Sequence, residues 1–374
     1  MYFSIFSSFL LRKLHALYKI IDIHGLSNLI IFEIDKKNQL QITWGLDSKN
    51  LIQTYMKINV KKYTKEKITI SIKFIIDVLT TFSNENLFIK KEKNTLNIYS
   101  QYGIYEIPIC FDSNQNYKSF IQICKGHFIK IDLSSDILLK ILNKTLFMSV
   151  REKLKPVLNG VLFQFLSHEA NFISTDTYRL VKYTIKNFQI NKNVQFIISR
   201  KYLNIIKEIL KEEKEKSHIV IEYYDQKNII FRLKNHILLC QLINEKYPNY
   251  HYIIPHKKCK ISIIINKLLL LNTIKRIFLF SEKKNNFIDF HFNNNKLKIC
   301  NQKTINIPTS EIQCKIVINN IKRMKIGFDS QFLIEILSSL EDFIYFEFYD
   351  KMGILKSLKK EESIFILIMS TIKI

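Results

Sequence analysis

Asp176 and Arg179 stand three residues apart in Ser174-Thr-Asp-Thr-Tyr-Arg-Leu180, a carboxylate and a guanidinium among apolar neighbours near a strand end. Charged side chains are seldom buried singly. The pair therefore reads in one of two ways: an internal ion pair fixing a hairpin, or part of a site that uses the charge. Catalysis would need a constellation around Asp176, and the sequence offers none. It has no H-E-x-x-H, no phosphate-cradling glycine loop, no G-x-S-x-G and no clustered carboxylates for metal ions. The six cysteines (Cys110, Cys124, Cys240, Cys259, Cys300, Cys314) form no C-x-x-C pair and accompany no close His-Cys cluster. Neither a metal site nor a cofactor is expected; scattered buried thiols in a reducing cytoplasm fit better.

Cations show more pattern. With its apolar side turned down, a helix over 134–147 presents Lys140, Asn143 and Lys144, and one over 266–278 presents Asn272, Lys275 and Arg276. The N-terminal helix offers Arg12, Lys13 and Lys19, and Arg151, Lys153 and Lys155 extend the basic surface into a loop. Such stripes are commonly solvated helix faces. Their recurrence on equivalent helices favours phosphate contacts that hold a duplex without reading its sequence. In bulk, 57 Lys+Arg against 33 Asp+Glu give a net charge of +24, which attracts nucleic acid first and anionic membrane second. Part of that charge can be compositional, because abundant Lys, Asn, Ile, Phe and Tyr with only 7 Gly and 5 Pro is what an AT-rich genome writes.

The elements that must position these residues repeat. Helix starts at Ser7, Ser134 and Asn266 lie 127 and 132 residues apart, with serines placed to cap the first two. A second helix type begins at Ile72, Arg200 and Ser330, with offsets of 128 and 130. That period is long for a solenoid and right for a domain. Between the helices lie alternating runs such as Leu40–Trp44, Ile219–Tyr223 and Phe343–Phe348, as in antiparallel hairpins. Leu158–Phe165 alternates Val161, Phe163 and Phe165 with other residues, predicting a half-buried strand. No apolar run reaches membrane-spanning length. Met1–Leu11 lacks a basic leader and a cleavage site, so it reads as a strand entering a helix in a soluble protein.

Pro156-Val-Leu-Asn-Gly-Val-Leu-Phe163 followed by Thr175-Asp-x-x-Arg-Leu180 resembles the middle domain of the bacterial DNA polymerase III beta subunit (sliding clamp) family. Leu242-Ile-Asn-Glu-Lys-Tyr-Pro-Asn-Tyr250 with Ile254-Pro255 resembles that family's link between middle and last domains. The resemblance implies an α+β chain of three clamp domains, 1–126, 127–255 and 256–374, each two helices packed on antiparallel sheet. Two chains would close head to tail as a homodimeric ring around duplex DNA. The chain would then be a non-catalytic, cytoplasmic processivity factor tethering the replicative polymerase, with a clamp loader and other clamp-motif proteins as partners and no membrane. The alternative is a basic nucleic-acid-binding protein of the same fold that no longer closes.

The resemblance also implies sites. Arg12, Lys13, Lys140, Lys144, Arg151, Lys153, Lys155, Lys275 and Arg276 would face DNA. Leu158, Thr175, Tyr178, Arg179, Leu180, Pro248, Ile253, Gly353, Leu367 and Met369 would form a partner-peptide pocket rimmed by one arginine. Tyr105, Ile107, Leu279 and Phe280 would meet the second chain. The sequence departs from the family's pattern in its basicity and at Pro156-Val157, where aromatic residues often occur. It departs again at Tyr178, a frequent histidine position, and after Met369, where proline is usual.

Overall fold

The computed structural model describes residues 1–24, 28–45, 50–110, 126–148, 155–213, 216–224, 227–280, 286–293, 296–301, 309–321, 323–357 and 362–370. A similar order of elements occurs three times, the second run having four strands between its helices where the others have five. The first run is β1 (Tyr2–Phe6), α1 (Ser7–His24), β2 (Leu29–Ile34), β3 (Gln39–Gly45), β4 (Leu51–Lys57), β5 (Asn59–Lys62), β6 (Ile68–Ser71), α2 (Ile72–Thr80), β7 (Asn86–Glu92), β8 (Thr95–Ser100) and β9 (Gly103–Pro108). The second is β10 (Phe128–Ser134), α3 (Ser135–Thr145), β11 (Gly160–Phe165), β12 (Glu169–Thr175), β13 (Arg179–Lys186), β14 (Val194–Ser199), α4 (Arg200–Glu212), β15 (His218–Tyr224), β16 (Asn228–Arg232) and β17 (His236–Gln241). The third is β18 (Ile261–Asn266), α5 (Lys267–Leu279), β19 (Phe287–Asn293), β20 (Lys296–Cys300), β21 (Thr309–Ile312), β22 (Lys315–Asn319), β23 (Arg323–Asp329), α6 (Ser330–Ser339), β24 (Phe343–Phe348), β25 (Met352–Ser357) and β26 (Glu362–Met369). The α+β expectation holds.

The helices begin where short polar side chains satisfy their free backbone N–H groups. Ser71 accepts from Phe74 N, Asn266 from Leu268 N and Leu269 N, and Asp329 from Phe332 N. Ser134 accepts from Ile137 N at 3.3 Å. Ser7 does something else: its hydroxyl donates to Ser83 O at 2.6 Å and accepts from Glu85 N at 3.1 Å, tying the start of α1 to the segment that leads into β7.

The chain folds into two compact units, Met1–Leu138 with Ile205–Leu242, and Leu139–Asn204 with Ile243–Ile374. Their boundary runs inside α3 and α4, so the units follow the sheets and not the sequence repeat. The first unit holds a five-stranded sheet, β5-β1-β7-β8-β9, and an eight-stranded one, β10-β15-β16-β17-β4-β3-β2-β6. The second holds a nine-stranded sheet, β14-β11-β12-β13-β26-β25-β24-β18-β22, and a four-stranded one, β21-β20-β19-β23.

Both long sheets are composites. In the first unit the last strand of the second run, β17, pairs antiparallel with β4, His236 opposite Thr54 and Leu239 opposite Leu51. In the second unit the last strand of the third run, β26, pairs with β13, from Arg179 opposite Ile368 to Ile185 opposite Glu362. The corresponding strands left over are β9 and β21, which stand at the edges of the two short sheets.

Aromatic side chains fill the second unit's cores. Phe163, Phe165, Phe172 and Phe196 pack together, as do Phe290, Phe328, Phe346 and Phe348. Burying each such ring stabilises by about 1.5–3 kcal/mol. The half-buried reading of β11 is corrected: Gly160 to Phe163 are all buried, because Leu162 on the second face is covered as well.

Candidate functional site

The turn from β12 to β13 is built by its own polar side chains. Asp176 Oδ1 accepts from Tyr178 N at 3.1 Å and Arg179 N at 3.0 Å, an Asx-type turn. The Thr175 hydroxyl donates to Arg179 O at 2.7 Å and accepts from Thr177 N at 3.2 Å. Between them Thr177 takes a left-handed φ of 80°, a conformation that non-glycine residues hold only when the surroundings enforce it.

Arg179 does not rim an open pocket. Its side chain is 7% exposed, with Nε donating to Asp176 Oδ2 at 2.7 Å and Nη1 lying 2.7 Å from Glu335 Oε2. The Glu335 contact is an ion pair off the hydrogen-bond line. The guanidinium also sits 4.0 Å over the Phe332 ring. The charge is consumed internally: of the two readings of Asp176 and Arg179, the structure takes the ion pair and adds a second anchor on α6.

Behind the turn lies one apolar cluster. Leu158, Leu162, Ile173, Leu180, Ile197, Tyr250, Ile354 and Leu367 are buried in it, and Met369, Ile243, Tyr247 and Met352 pack against it half-buried. Met369 N donates to Tyr178 O at 2.9 Å, closing one side. Asn249 caps a short 3-10 turn, Tyr250–Ile253, by accepting from His251 N, which turns Tyr250 inward and leaves Tyr252 and Ile253 exposed. Of the expected pocket residues, Leu158, Leu180, Leu367 and Met369 come together, while Thr175 and Arg179 build the turn. Tyr178, Pro248 and Ile253 are exposed beside them.

Gly353 is placed elsewhere. A Cβ on it would lie 2.7 Å from Phe346 Cε2 and 2.8 Å from Phe328 Cζ, so it faces the aromatic core, which needs that position empty. The reading from sequence missed Leu162, Ile173, Ile197 and Tyr247. The signal for Leu162 and Ile197 was present, since the apolar runs Val161–Phe163 on β11 and Phe196–Ile198 on β14 imply strands covered on both faces.

The cations divide sharply. In the first unit, Arg12, Lys13 and Lys19 of α1 line a groove of about 780 Å³ with Lys211 and Lys234, five cations against the carboxylates of Glu212 and Glu213. Burial raises the pKa of both carboxyls in spite of Lys13. In the second unit the expected stripe on α3 is corrected. Lys140 pairs with Glu362 at 3.0 Å. Lys144, 16% exposed, donates to Ser339 O and lies 3.5 Å from Glu341. Lys155, Lys275 and Arg276 are exposed, Arg276 folding back to donate to Asn272 O at 3.2 Å. Arg151 and Lys153 lie outside the described residues.

His236 closes the groove's floor at the β4–β17 joint, its Nδ1 3.0 Å from Thr54 Oγ1. Burial first, and Lys13 second, push its pKa down to about 4. Its unfolded value is near 6.5, so the unfolded chain binds the proton first and stability drains as pH falls from 6.5 to 4. The full loss is about 3 kcal/mol, partly offset by Glu213, whose raised pKa favours the folded state in acid. The denaturation midpoint is expected to fall steadily over that window, and His236→Gln should flatten the fall.

Apolar residues are exposed at both short-sheet ends. On β9, Ile104 and Tyr105 face solvent, Tyr105 meeting Phe82 edge-on at 5.1 Å. Ile107, expected at the surface, is corrected: it is 1% exposed and belongs to the sheet's core. At the end of α5, the helix that packs on β21, Leu279 and Phe280 are 80% and 70% exposed.

Residues 132–249 match the family model described as DNA polymerase III beta subunit, central domain, and residues 251–371 match that of its C-terminal domain. A beta sliding clamp of Buchnera aphidicola subsp. Rhopalosiphum padi is 27% identical over 321 residues, 78% of this chain and 84% of the relative. One from Halalkalibacterium halodurans is 31% identical over 161 residues, 42% of this chain and 41% of the relative. Among solved structures, the DNA polymerase III subunit beta of Pseudomonas aeruginosa superposes with a TM-score of 0.85 at 18% identity, covering 99% of this chain and 100% of the other. The Bacillus subtilis sliding clamp gives 0.85 at 20%, with 100% of both chains covered. Among the described residues, no helix is long and apolar enough to cross a membrane.

Proposed function

The chain belongs to the DNA polymerase III beta subunit family, and from that premise we propose that it is a sliding clamp, a non-catalytic processivity factor for a replicative polymerase. In this reading it works in the cytoplasm as a head-to-tail dimer around duplex DNA. The observation that carries this is the matching of strand edges. Two of the three runs present β4 and β13 to the last strand of the run that follows, β17 and β26. Among the described residues, the third run's counterpart, β21, and the first run's last strand, β9, have no such partner. A second copy supplies both, β9 of one chain beside β21 of the other. Exposed edges are otherwise a hazard that proteins cover. In this reading the chain divides into domains 1–126, 127–255 and 256–374, and each composite sheet would be shared by two of them.

Duplex DNA is held loosely. Arg12, Lys13, Lys19, Lys211 and Lys234 supply a cationic groove in the first unit, with Lys155, Lys275 and Arg276 free to reach phosphates and Arg151 and Lys153 added by sequence. Lys140 and Lys144 contribute little, because their charges are matched by carboxylates. Contacts of this kind weaken steeply with salt, so enclosure and not affinity keeps the protein on DNA. Partners such as the polymerase, the clamp loader and other clamp-motif proteins dock at the apolar cluster beside the Thr175–Arg179 turn. An apolar anchor of the partner sits against Leu180, Leu367 and Met369, bordered by Tyr178, Pro248 and Ile253. With Arg179 already paired, the pocket selects by shape and backbone hydrogen bonds and not by charge.

The test is retention on nicked circular DNA. Protein loaded onto the circle should stay bound at a salt concentration that releases it from the same DNA once linearised. Equal release from both forms would point to an open binder, and metal-dependent cleavage would point to a nuclease.

A further inference from the structure

One face of the four-stranded sheet brings together Asp289 and His291, two residues apart on β19, and Cys300 from the next strand. Asp289 and His291 alternate along β19 with the buried Ile288, Phe290 and Phe292, so they project from the opposite face. Cys300 on β20 is the register partner of Asp289. A carboxylate oxygen, an imidazole nitrogen and a thiol sulfur from the three lie within 4.8 Å of one another, with Asp289 and Cys300 buried and His291 half-buried. On β23 the residue opposite Asp289 is Gly327, which has no side chain to fill the place, and the residue opposite His291 is Lys325. Lys325 Nζ lies 3.3 Å from Asp289 Oδ2, and its side chain is 42% exposed. A groove of about 1010 Å³ runs past His291, Cys300 and Lys325 to the surface.

We propose that Asp289, His291 and Cys300 form a binding site for a borderline-soft divalent metal ion, zinc above others, and that Lys325 is the resident cation which the metal displaces. One oxygen, one nitrogen and one sulfur donor is a zinc set with a fourth position left for water, and it is wrong for magnesium or calcium, which take oxygen ligands. Bonds of about 2.0–2.3 Å hold tetrahedral ligand atoms roughly 3.2–3.8 Å apart, so the site closes by about 1 Å of side-chain adjustment. As the metal–sulfur bond forms, the Cys300 thiol gives its proton to solvent. Carboxylate and thiolate then balance the ion's two charges. The Lys325 ammonium swings into the groove, where Lys298 and Arg323 already face water. The site does not depend on ring closure, and its failure would leave the clamp reading intact.

The test uses metal-stripped, reduced, full-length protein titrated with Co²⁺ and then Zn²⁺. One equivalent of Co²⁺ should give tetrahedral visible bands with a thiolate-to-cobalt charge-transfer band, both removed by one equivalent of Zn²⁺. Cys300→Ser should abolish the charge-transfer band and weaken Zn²⁺ binding at least ~10-fold, as loss of a ligand requires. His291→Ala should weaken it similarly if Cys300→Ser fails to fold. Lys325→Ala should strengthen Zn²⁺ binding several-fold, a gain that a merely structural role would not produce. The proposal is overturned by the absence of a one-equivalent cobalt spectrum. It is equally overturned by a charge-transfer band that survives Cys300→Ser, or by Zn²⁺ affinity that Lys325→Ala leaves unchanged or weakens.

Discussion

Replacing Leu279 and Phe280 together by aspartate is expected to convert the protein from a species of twice 44.6 kDa to a single chain, and to erase its preference for circular DNA. The two side chains end α5, the helix that packs on β21, and present most of their surface to water. Covering two large apolar side chains contributes about 3–6 kcal/mol at each contact, before the entropy of association is subtracted. Two buried carboxylates in their place would be unpaired and costly. The association constant should therefore fall by at least two orders of magnitude, read by sedimentation equilibrium. Because both residues are exposed, the chain's own melting should hardly change. A variant that still sediments as a dimer would remove the edge assignment.

A contrasting pair of substitutions separates the pocket from its scaffold. Arg179→Ala should cost about 3–5 kcal/mol of stability, the usual loss when one member of a buried ion pair is removed. It takes away contacts to Asp176, Glu335 and Phe332 at once, leaving the turn and α6 without their common tie. Any loss of partner binding in that variant would be secondary to unfolding. Met369→Asp acts differently. Met369 is half-buried at the margin of the cluster, beside the exposed Tyr178, so a carboxylate there remains partly hydrated and the fold tolerates it. Affinity for a clamp-motif peptide should drop at least ~30-fold, since an apolar anchor would meet a charge, while denaturation and dimer mass stay put. Unchanged peptide affinity in Met369→Asp would refute the docking assignment.

The repeat was legible in the sequence because each helix carries its apolar residues at helical spacing and each hairpin alternates, signals that need only a few neighbouring positions. What was not legible depended on residues far along the chain. Lys140 and Lys144 look free on their own helix; their partners Glu362 and Glu341 arrive from the third run. Arg179 looks like a ligand-binding cation until Glu335 and Phe332 close over it. Ile107 belongs to a strand correctly placed at an edge, yet its side chain lies on the inner face, and face is fixed by a register that spacing alone does not set. Asp289, His291 and Cys300 match no familiar zinc spacing, because a hairpin and not a helix or knuckle brings them together.

The β4–β17 and β13–β26 seams each lie within a single covalent chain, so parting either would strain the polypeptide that bridges it. In the proposed ring the seams between chains would have no such tether. If the proposed ring must admit a strand of DNA, it would break at one of those two clasps, and whatever pries it apart would need only to work on the proposed β9–β21 contact and the two bulky side chains beside it.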